Sequence, residues 1–143
     1  MAGIVVGVDG SPHSQAALDW ALDEAALRND HLTALAVAPA ATGLWGITSQ
    51  AGPSHEAQEK VNQAAKDMVD KAAQRHGHQQ VTVRTVSGVP ADELIKASQD
   101  ADLVVLASRG AGGFARLRMG SVSTQVTAHA HCPVVIVRSG AEH

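Results

Sequence analysis

The stretch that decides the fold covers residues 103–123, LVVLASRGAGGFARLRMGSVS. It begins with an apolar run that predicts a buried strand and ends at Gly120-Ser121, which predicts a helix start. The glycine-rich loop between them carries Arg109, Arg116 and Arg118. Glycines let backbone N–H groups approach an anion, and a helix start adds unpaired N–H donors and the positive end of the helix dipole. This order of elements predicts a phosphate site; the alternative is a mobile connection without a ligand.

The flanking sequence repeats the order of strand and helix. Apolar or alternating runs predict further strands at residues 4–8, 32–37, 81–86 and 133–137. Helical spacing and end signals predict helices at residues 12–29, 54–76, 91–99 and 121–129. Ser11 is the predicted N-cap of the first helix, and Pro12 is its first residue. The predicted buried face of the second helix consists of Val61, Ala65, Met68 and Ala72.

Five strands alternating with four helices predict a single α/β domain over residues 1–143. The expected fold is an open, mostly parallel five-stranded sheet with helices on both faces and right-handed crossovers. The third strand, VTVRTV, alternates apolar and polar residues, which indicates an edge strand with one wet face. Ligands of such sheets bind beyond the carboxyl ends of the strands, where the strand order reverses. With the first and fourth strands adjacent at that point, Asp9 and Gly110 face one cleft.

Charge is distributed unevenly along the chain. Residues 1–102 hold 7 Lys or Arg against 13 Asp or Glu, a net charge of −6, whereas residues 103–143 hold 4 Arg against Glu142 alone, a net charge of +3. Basic residues are few and aromatic residues make up 2% of the chain, so a small anionic ligand is favoured over nucleic acid. No apolar run approaches the ~20 residues of a membrane span, the start does not resemble a signal peptide, and there is one cysteine. These features predict a cytoplasmic protein without a membrane span.

Three stretches in combination resemble the universal stress protein family: IVVGVDGS at residues 4–11, SRGAGGFARLRMGSVS at residues 108–123 and HCPVVIVR at residues 131–138. The resemblance covers nearly the whole chain. It implies a Rossmann-like fold with strand order 3-2-1-4-5 and, for the nucleotide-binding subgroup, ATP in the cleft, with Mg²⁺ able to accompany it. That subgroup has the pattern Gly, two residues, Gly, nine residues, then Gly followed by Ser or Thr. Gly110 and Gly120-Ser121 fit this pattern, whereas Ala107 stands at the first glycine.

The resemblance also implies which residues line the nucleotide. Adenosine lies along the end of the first strand, adenine meets the backbone of the second, and the phosphates lie between the fourth strand and the following helix. Serine hydroxyls there can donate to phosphate oxygens, and Asp9 can accept from a ribose hydroxyl or hold the water of a divalent cation. The implied cofactor-binding residues are Gly7, Val8, Asp9, Val37, Ala107, Ser108, Arg109, Gly110, Gly113, Gly120, Ser121, Val122 and Ser123.

Ala107 has two readings. If its backbone takes positive φ or lies tight against a phosphate, the methyl group costs about 1 kcal/mol, or roughly fivefold in affinity. If the strand simply ends there in β conformation, the methyl group costs little.

The predicted function is that of a nucleotide-dependent stress-response regulator that works as a dimer. Bound ATP would order the loops at residues 39–53 and 109–119 and change the surface offered to a regulatory protein partner. The resemblance implies a homodimer through Val134–Val137, an apolar strand whose place at a sheet edge is a hazard unless it is covered. One alternative is a dimeric interaction module without nucleotide. The other is a slow ATP-hydrolysing or phosphate-transferring enzyme, against which stand the missing Walker pattern and the absence of lysine from residues 103–123.

Other polar clusters do not lead to a catalytic or metal assignment. His129, His131 and Cys132 include good metal ligands, but a tight turn before Pro133 explains them more simply. Cys132 is predicted to be a small buried residue. No catalytic residue and no direct metal ligand is assigned.

Overall fold

A computed structural model describes residues 3–38, 55–77, 80–109 and 120–138. Strands and helices alternate along these residues. The strands are β1 Ile4–Val8, β2 Leu32–Ala38, β3 Val81–Ser87, β4 Leu103–Ala107 and β5 Val134–Val137. The helices are α1 Pro12–Arg28, α2 His55–His76, α3 Pro90–Ser98 and α4 Ser121–His129. Each predicted element is present, with ends that differ by a residue at most.

The five strands form one parallel sheet in the order β3-β2-β1-β4-β5. This confirms the predicted α/β class and the strand order that the resemblance implied. β1 lies at the centre, with Val6 opposite Ala34 of β2 on one side and opposite Val105 of β4 on the other. β3 and β5 form the two edges, as expected for the alternating third strand.

Successive strand residues point to opposite faces of the sheet. Both faces carry apolar side chains, and helices cover each of them. One core layer joins the sheet to α1 and α2 through residues such as Val6, Leu18 and Val61. The other joins it to α3 and α4 through residues such as Leu35, Leu94 and Val126. On α2 the buried positions are Val61, Ala65, Val69 and Ala72, and Met68 is only partly buried. Met68 packs against this core layer as predicted, and Val69 is a further buried position that the prediction omitted.

The ends of α1 and α2 follow the signals in the sequence. The Ser11 side chain caps α1 by accepting from the Ser14 N–H, and Pro12 begins the helix. Asn29 ends it in the left-handed conformation, with φ of 52°. Gly77 follows α2 with φ of 69°, a backbone conformation that glycine adopts without a steric cost.

Polar side chains of α2 reach the outer edge of β3. The Gln58 side-chain N–H donates to the Thr85 backbone carbonyl at 3.1 Å. The Ser87 hydroxyl donates to Oε1 of the Gln58 side chain at 3.1 Å. The Thr85 hydroxyl donates to the Asn62 side chain at 2.9 Å. The Gln80 carbonyl and the Gly88 N–H both bond to β2. Since the backbone groups of successive strand residues point to alternate sides, the even-numbered residues here face β2 and the Thr85 carbonyl points away from it. Gln58 therefore satisfies a carbonyl on the free edge of the sheet.

The far end of α2 is tied to α1 through charged side chains. His76 lies between two carboxylates one helical turn apart, with Nδ1 2.8 Å from Asp23 Oδ1 and Nε2 3.1 Å from Asp19 Oδ1. Arg75 lies 3.2 Å from Asp19 Oδ1. These contacts join the two helices that cover one face of the sheet.

Cys132 lies between α4 and β5 and is half-buried. It packs against the core layer of α3 and α4, so the prediction of a small buried residue is met only in part. Burial raises the pKa of the Cys132 thiol, the negative charge of Asp102 raises it further, and a backbone hydrogen bond at Val104 acts in the opposite direction. The thiol therefore stays protonated near neutral pH, which makes it a weak nucleophile.

Within the residues described above, no helix is both long and apolar enough to cross a membrane. In the same part of the chain, no three His, Cys, Asp or Glu side chains are grouped so that they could hold a metal ion.

Candidate functional site

The candidate site lies where β1 and β4 end side by side. The chain leaves β1 into α1 on one face of the sheet, and it enters α4 on the opposite face after β4. The carboxyl ends of neighbouring parallel strands open a crevice at such a reversal. Asp9 follows β1 and Ser108 follows β4, so these two predicted site residues flank the crevice.

At the end of β1, Asp9 is held by two serines of the turn into α1. Its Oδ1 accepts from the backbone N–H of Ser11 at 2.9 Å and from the Ser11 hydroxyl at 2.5 Å. Its own N–H donates to the Ser14 hydroxyl oxygen at 3.3 Å, and that hydroxyl donates to the Ser11 carbonyl at 3.0 Å. The position of the carboxylate is therefore fixed by both the main chain and the side chains of this turn.

At the end of β4, Ser108 joins the sheet to the start of α4. Its N–H donates to the Val137 carbonyl of β5 at 3.0 Å. Its carbonyl accepts from the Gly120 N–H at 2.6 Å and from the Ser123 hydroxyl at 3.0 Å. The Ser123 hydroxyl also lies 3.1 Å from the Gly120 carbonyl, and the side chain is 2% exposed. Ser123 therefore fixes the first turn of α4, a different use of its hydroxyl from the phosphate contact that sequence reasoning expected.

The first turn of α4 has the features of an anion site. Gly120 is its N-cap and has no side chain, and no side chain of the described residues caps the helix in its place. Ser121 is exposed and Val122 is half-buried. The first N–H groups of a helix have no partner within it, and they carry the positive end of the dipole. This turn can therefore offer backbone donors and the Ser121 hydroxyl to a phosphate.

Several other predicted residues have a packing role at the same place. Val8 is buried in the layer of α1 and α2, and Val37 is buried in the layer of α3 and α4, so each meets a ligand through its backbone if at all. Gly7 lies in β1, where an added Cβ would stand 2.7 Å from Leu106 Cδ2 and 3.2 Å from Leu94 Cδ1. A methyl group at Gly7 would therefore force the end of the Leu106 side chain to shift.

Ala107 is the last residue of β4 and pairs with Val137. Among the described residues other than glycine, positive φ occurs at Asn29 and not at Ala107. Positive φ therefore adds no cost at Ala107, and a cost from its methyl group would arise only from close approach to a phosphate.

The remaining predicted positions are only partly described. Arg109 is half-buried at the end of its segment. Gly110 and Gly113 lie outside the described residues, as do Arg116, Arg118 and the loop at residues 39–53. Sequence reasoning did not single out Ser14, although it belongs to the network around Asp9. The spacing DGSPHS at residues 9–14, with serines two and five positions after the aspartate, is the signal that could have found it.

Comparison with known proteins identifies the family. The family model described as the universal stress protein family matches residues 2–138. The chain belongs to this family. A universal stress protein of Mycobacterium tuberculosis is 34% identical over an alignment of 142 positions, which covers 96% of this chain and 48% of the relative. Another, from Mycolicibacterium smegmatis, is 36% identical over an alignment of 141 positions, which covers 94% of this chain and 45% of the relative. Our universal stress protein chain thus spans about half the length of the curated relatives it matches.

Solved structures of the family share the fold. The universal stress protein UspA from Lactobacillus plantarum matches with a TM-score of 0.75 and 24% identity, covering 94% of this chain and 96% of that one. A universal stress protein in complex with cAMP matches with a TM-score of 0.73 and 25% identity over 96% of each chain. The universal stress protein from Archaeoglobus fulgidus in complex with dAMP matches with a TM-score of 0.64 and 22% identity, covering 95% of this chain and 97% of that one.

Proposed function

We propose that this universal stress protein binds ATP, with Mg²⁺, in the crevice between β1 and β4, and that it acts as a nucleotide-dependent regulator. The observation that carries the proposal is the start of α4, which has no side-chain cap and is held against the end of β4 by Ser108 and Ser123. A helix start fixed in this way is organised for phosphate before any ligand arrives. Donors that need no rearrangement favour binding.

The order of the strands supports a whole nucleotide over a simple anion. β4, β1 and β2 are consecutive in the sheet, and adjacent strands are about 4.8 Å apart. Phosphates at the start of α4 would place the sugar beside Asp9 at the end of β1. The base would then lie beside the end of β2, after Val37. The three parts of a nucleotide thus follow three neighbouring strand ends.

Related proteins give independent support for an adenine nucleotide. The similar universal stress protein of 25% identity was solved with cAMP, and the Archaeoglobus fulgidus protein was solved with dAMP. Each of these ligands combines adenine, a pentose and a phosphate, which is the set that the three strand ends would meet. ATP extends the same set by two phosphates, toward the region of positive net charge that begins at Leu103.

The donors at the site favour binding over turnover. Phosphoryl transfer needs cationic groups on the phosphates and a residue that positions the attacking nucleophile. Residues 103–123 supply arginine cations but lack the Walker pattern and its lysine, and the Ser123 hydroxyl is used on backbone carbonyls. We therefore assign no catalytic residue, and we propose that the nucleotide changes the surface offered to a protein partner.

The proposal includes a homodimer formed through β5. The carbonyls of Pro133 and Val137 accept hydrogen bonds from β4. Because the backbone groups of successive strand residues point to alternate sides, those of Val134 and Ile136 point away from β4. The opposite edge is covered at Thr85 by Gln58. β5 is thus the edge better suited to pair with a second copy of the chain.

The first experiment is to purify the protein without added nucleotide, denature it, and identify what is released by chromatography, quantified per chain. We expect ATP near one per chain, or a calorimetric response to Mg-ATP if the nucleotide is lost during purification. A protein that is empty and gives no response to millimolar Mg-ATP would contradict the proposal. That result would favour a dimeric interaction module that works without nucleotide.

The phosphate site is tested by replacing Ser121 with aspartate. A carboxylate at the start of α4 is favourable for the helix by about 0.3–1 kcal/mol but repels phosphate at the same N–H groups. We therefore expect Ser121→Asp to lower ATP affinity at least about tenfold while the thermal midpoint is unchanged or higher. Calorimetric titration and thermal unfolding measure the two effects.

The matched control is Gln125→Asp, which adds the same charge at an exposed position one turn further along α4. We expect a change in ATP affinity of less than about threefold, because the new charge lies about 6 Å further along the axis and is screened by solvent. Equal losses in the two variants would mean that general charge repulsion, and not the helix start, governs binding.

A further inference from the structure

The turn after β1 contains a hydroxyl group with two roles. The Ser11 oxygen accepts from the Ser14 N–H, which caps α1, and the Ser11 hydroxyl proton is donated to Asp9 Oδ1. Capping requires only the acceptor. The donation to Asp9 is therefore an additional interaction, and it acts on the carboxylate that flanks the crevice.

The two serines of this turn, Ser11 and Ser14, are buried and hydrogen-bond within the turn. Ser11 is 7% exposed and Ser14 is 3% exposed. Buried hydroxyls are unfavourable unless they are hydrogen-bonded, and here each has partners within the turn. Two bonds from Ser11 meet on one oxygen of Asp9, and the Asp9 N–H is held by Ser14. Rotation of the carboxylate would break at least one hydrogen bond to a charged group, the stronger kind of such bonds.

We propose that Ser11 is a positioning residue that orients the Asp9 carboxylate to accept a hydrogen bond from a ribose hydroxyl of the bound nucleotide. This inference rests on the proposed function. Both hydrogen bonds from Ser11 end on Oδ1, so together they fix the orientation of the carboxylate. Asp9 follows β1, the strand between the end of β4 and the end of β2, where the sugar of a nucleotide would lie. A cation bound to the phosphates would instead lie toward β4.

The test compares two nucleotides with two variants of Ser11. Ser11→Gly removes the hydroxyl and keeps the backbone N–H, and glycine is tolerated at an N-cap nearly as well as serine. Ser11→Thr keeps the hydroxyl and is the conservative variant for rescue. The ligands are ATP and 2′,3′-dideoxy-ATP, which lacks both ribose hydroxyls, each titrated calorimetrically with Mg²⁺ and with EDTA.

We expect Ser11→Gly to lower ATP affinity about fivefold, the effect of one hydrogen bond of ordinary strength, and to change dideoxy-ATP affinity less than about twofold. Ser11→Thr should restore ATP affinity to within about twofold of the wild type. Thermal unfolding of each variant checks that the titrations are done on folded protein.

Two results would overturn the inference while leaving nucleotide binding intact. An equal loss for ATP and dideoxy-ATP in Ser11→Gly would show that Ser11 acts only on the structure of the turn. An equal loss that occurs with Mg²⁺ and vanishes in EDTA would assign Asp9 to the water of the cation. If the wild type binds neither ATP nor dideoxy-ATP in these titrations, the proposed function itself is overturned.

Discussion

Gly7 shows how one residue at this site serves the core as well as the crevice. Its position on the central strand faces Leu106 and Leu94, whose side chains occupy the space that a Cβ would need. Close approach of these side chains packs the layer of α3 directly below the crevice. Glycine at this position therefore suits the packing of the α3 layer, whether or not a nucleotide touches its backbone.

Replacement of Gly7 by alanine tests this packing role. We expect Gly7→Ala to lower the free energy of unfolding by about 1–2 kcal/mol, because an added methyl in a packed layer forces neighbours to shift. The double variant Gly7→Ala with Leu106→Val should lose less than the sum of the two single changes, since the smaller side chain makes room. Chemical denaturation measures all four proteins. Strict additivity would mean that the methyl group does not meet Leu106.

At the candidate site, the sequence predicts local features better than hydrogen bonds between residues that are distant in the chain. Asp9 and the start of α4 were found because chain order and helix-start signals are local. The hydroxyl of Ser123 was expected to meet phosphate, but in the structure it donates to the carbonyls of Ser108 and Gly120. Ser108 lies fifteen residues away in the chain, so only the fold reveals this partner.

At the scale of elements, α2 is fastened at both ends by polar contacts. Near the start of α2, Gln58 and Asn62 bond to Thr85 of β3. At the end of α2, His76 contacts Asp19 and Asp23 of α1. Between them a narrow apolar face packs on the sheet. Hydrophobic spacing predicted the helix and most of that face. It placed Met68 on that face, where the structure has it partly buried, and it omitted Val69, which is 2% exposed.

Replacement of His76 tests the contact between α1 and α2. We expect His76→Ala to lower the free energy of unfolding by about 1 kcal/mol, because its side chain is 20% exposed and lies against two carboxylates. Arg75→Ala is the matched control on the same turn. Arg75 is 54% exposed and contacts Asp19 alone, so we expect a loss below about 0.5 kcal/mol. A larger loss for Arg75 than for His76 would contradict this assignment.

At the scale of the whole molecule, the parallel order of the strands sets where ligands and partners meet the protein. All five strands end at one side of the sheet, so the turns after β1 and β4 are brought together by topology alone. The alternation of short apolar runs with helices was enough to predict this class of fold. Strand order came from the family resemblance, since periodicity does not specify which strands pair.

The dimer through β5 is tested by removing one outward N–H. We expect the wild type to sediment as a dimer at micromolar concentration and Val134→Pro to sediment as a monomer, because proline cannot donate to a partner strand. Val134→Ala keeps the N–H and is expected to remain dimeric. Circular dichroism should show native secondary structure for both variants. A monomeric wild type would overturn the dimer.

The bond from Gln58 to the Thr85 carbonyl has a consequence for assembly in the crowded cell. A sheet that can add a neighbour at both sides grows without limit, as in fibres, whereas a sheet with one available side stops at a pair. A second copy that pairs with β3 would have to displace the Gln58 amide from the Thr85 carbonyl. If the proposed dimer forms through β5, this hydrogen bond opposes further pairing at β3, and the assembly would stop at two chains.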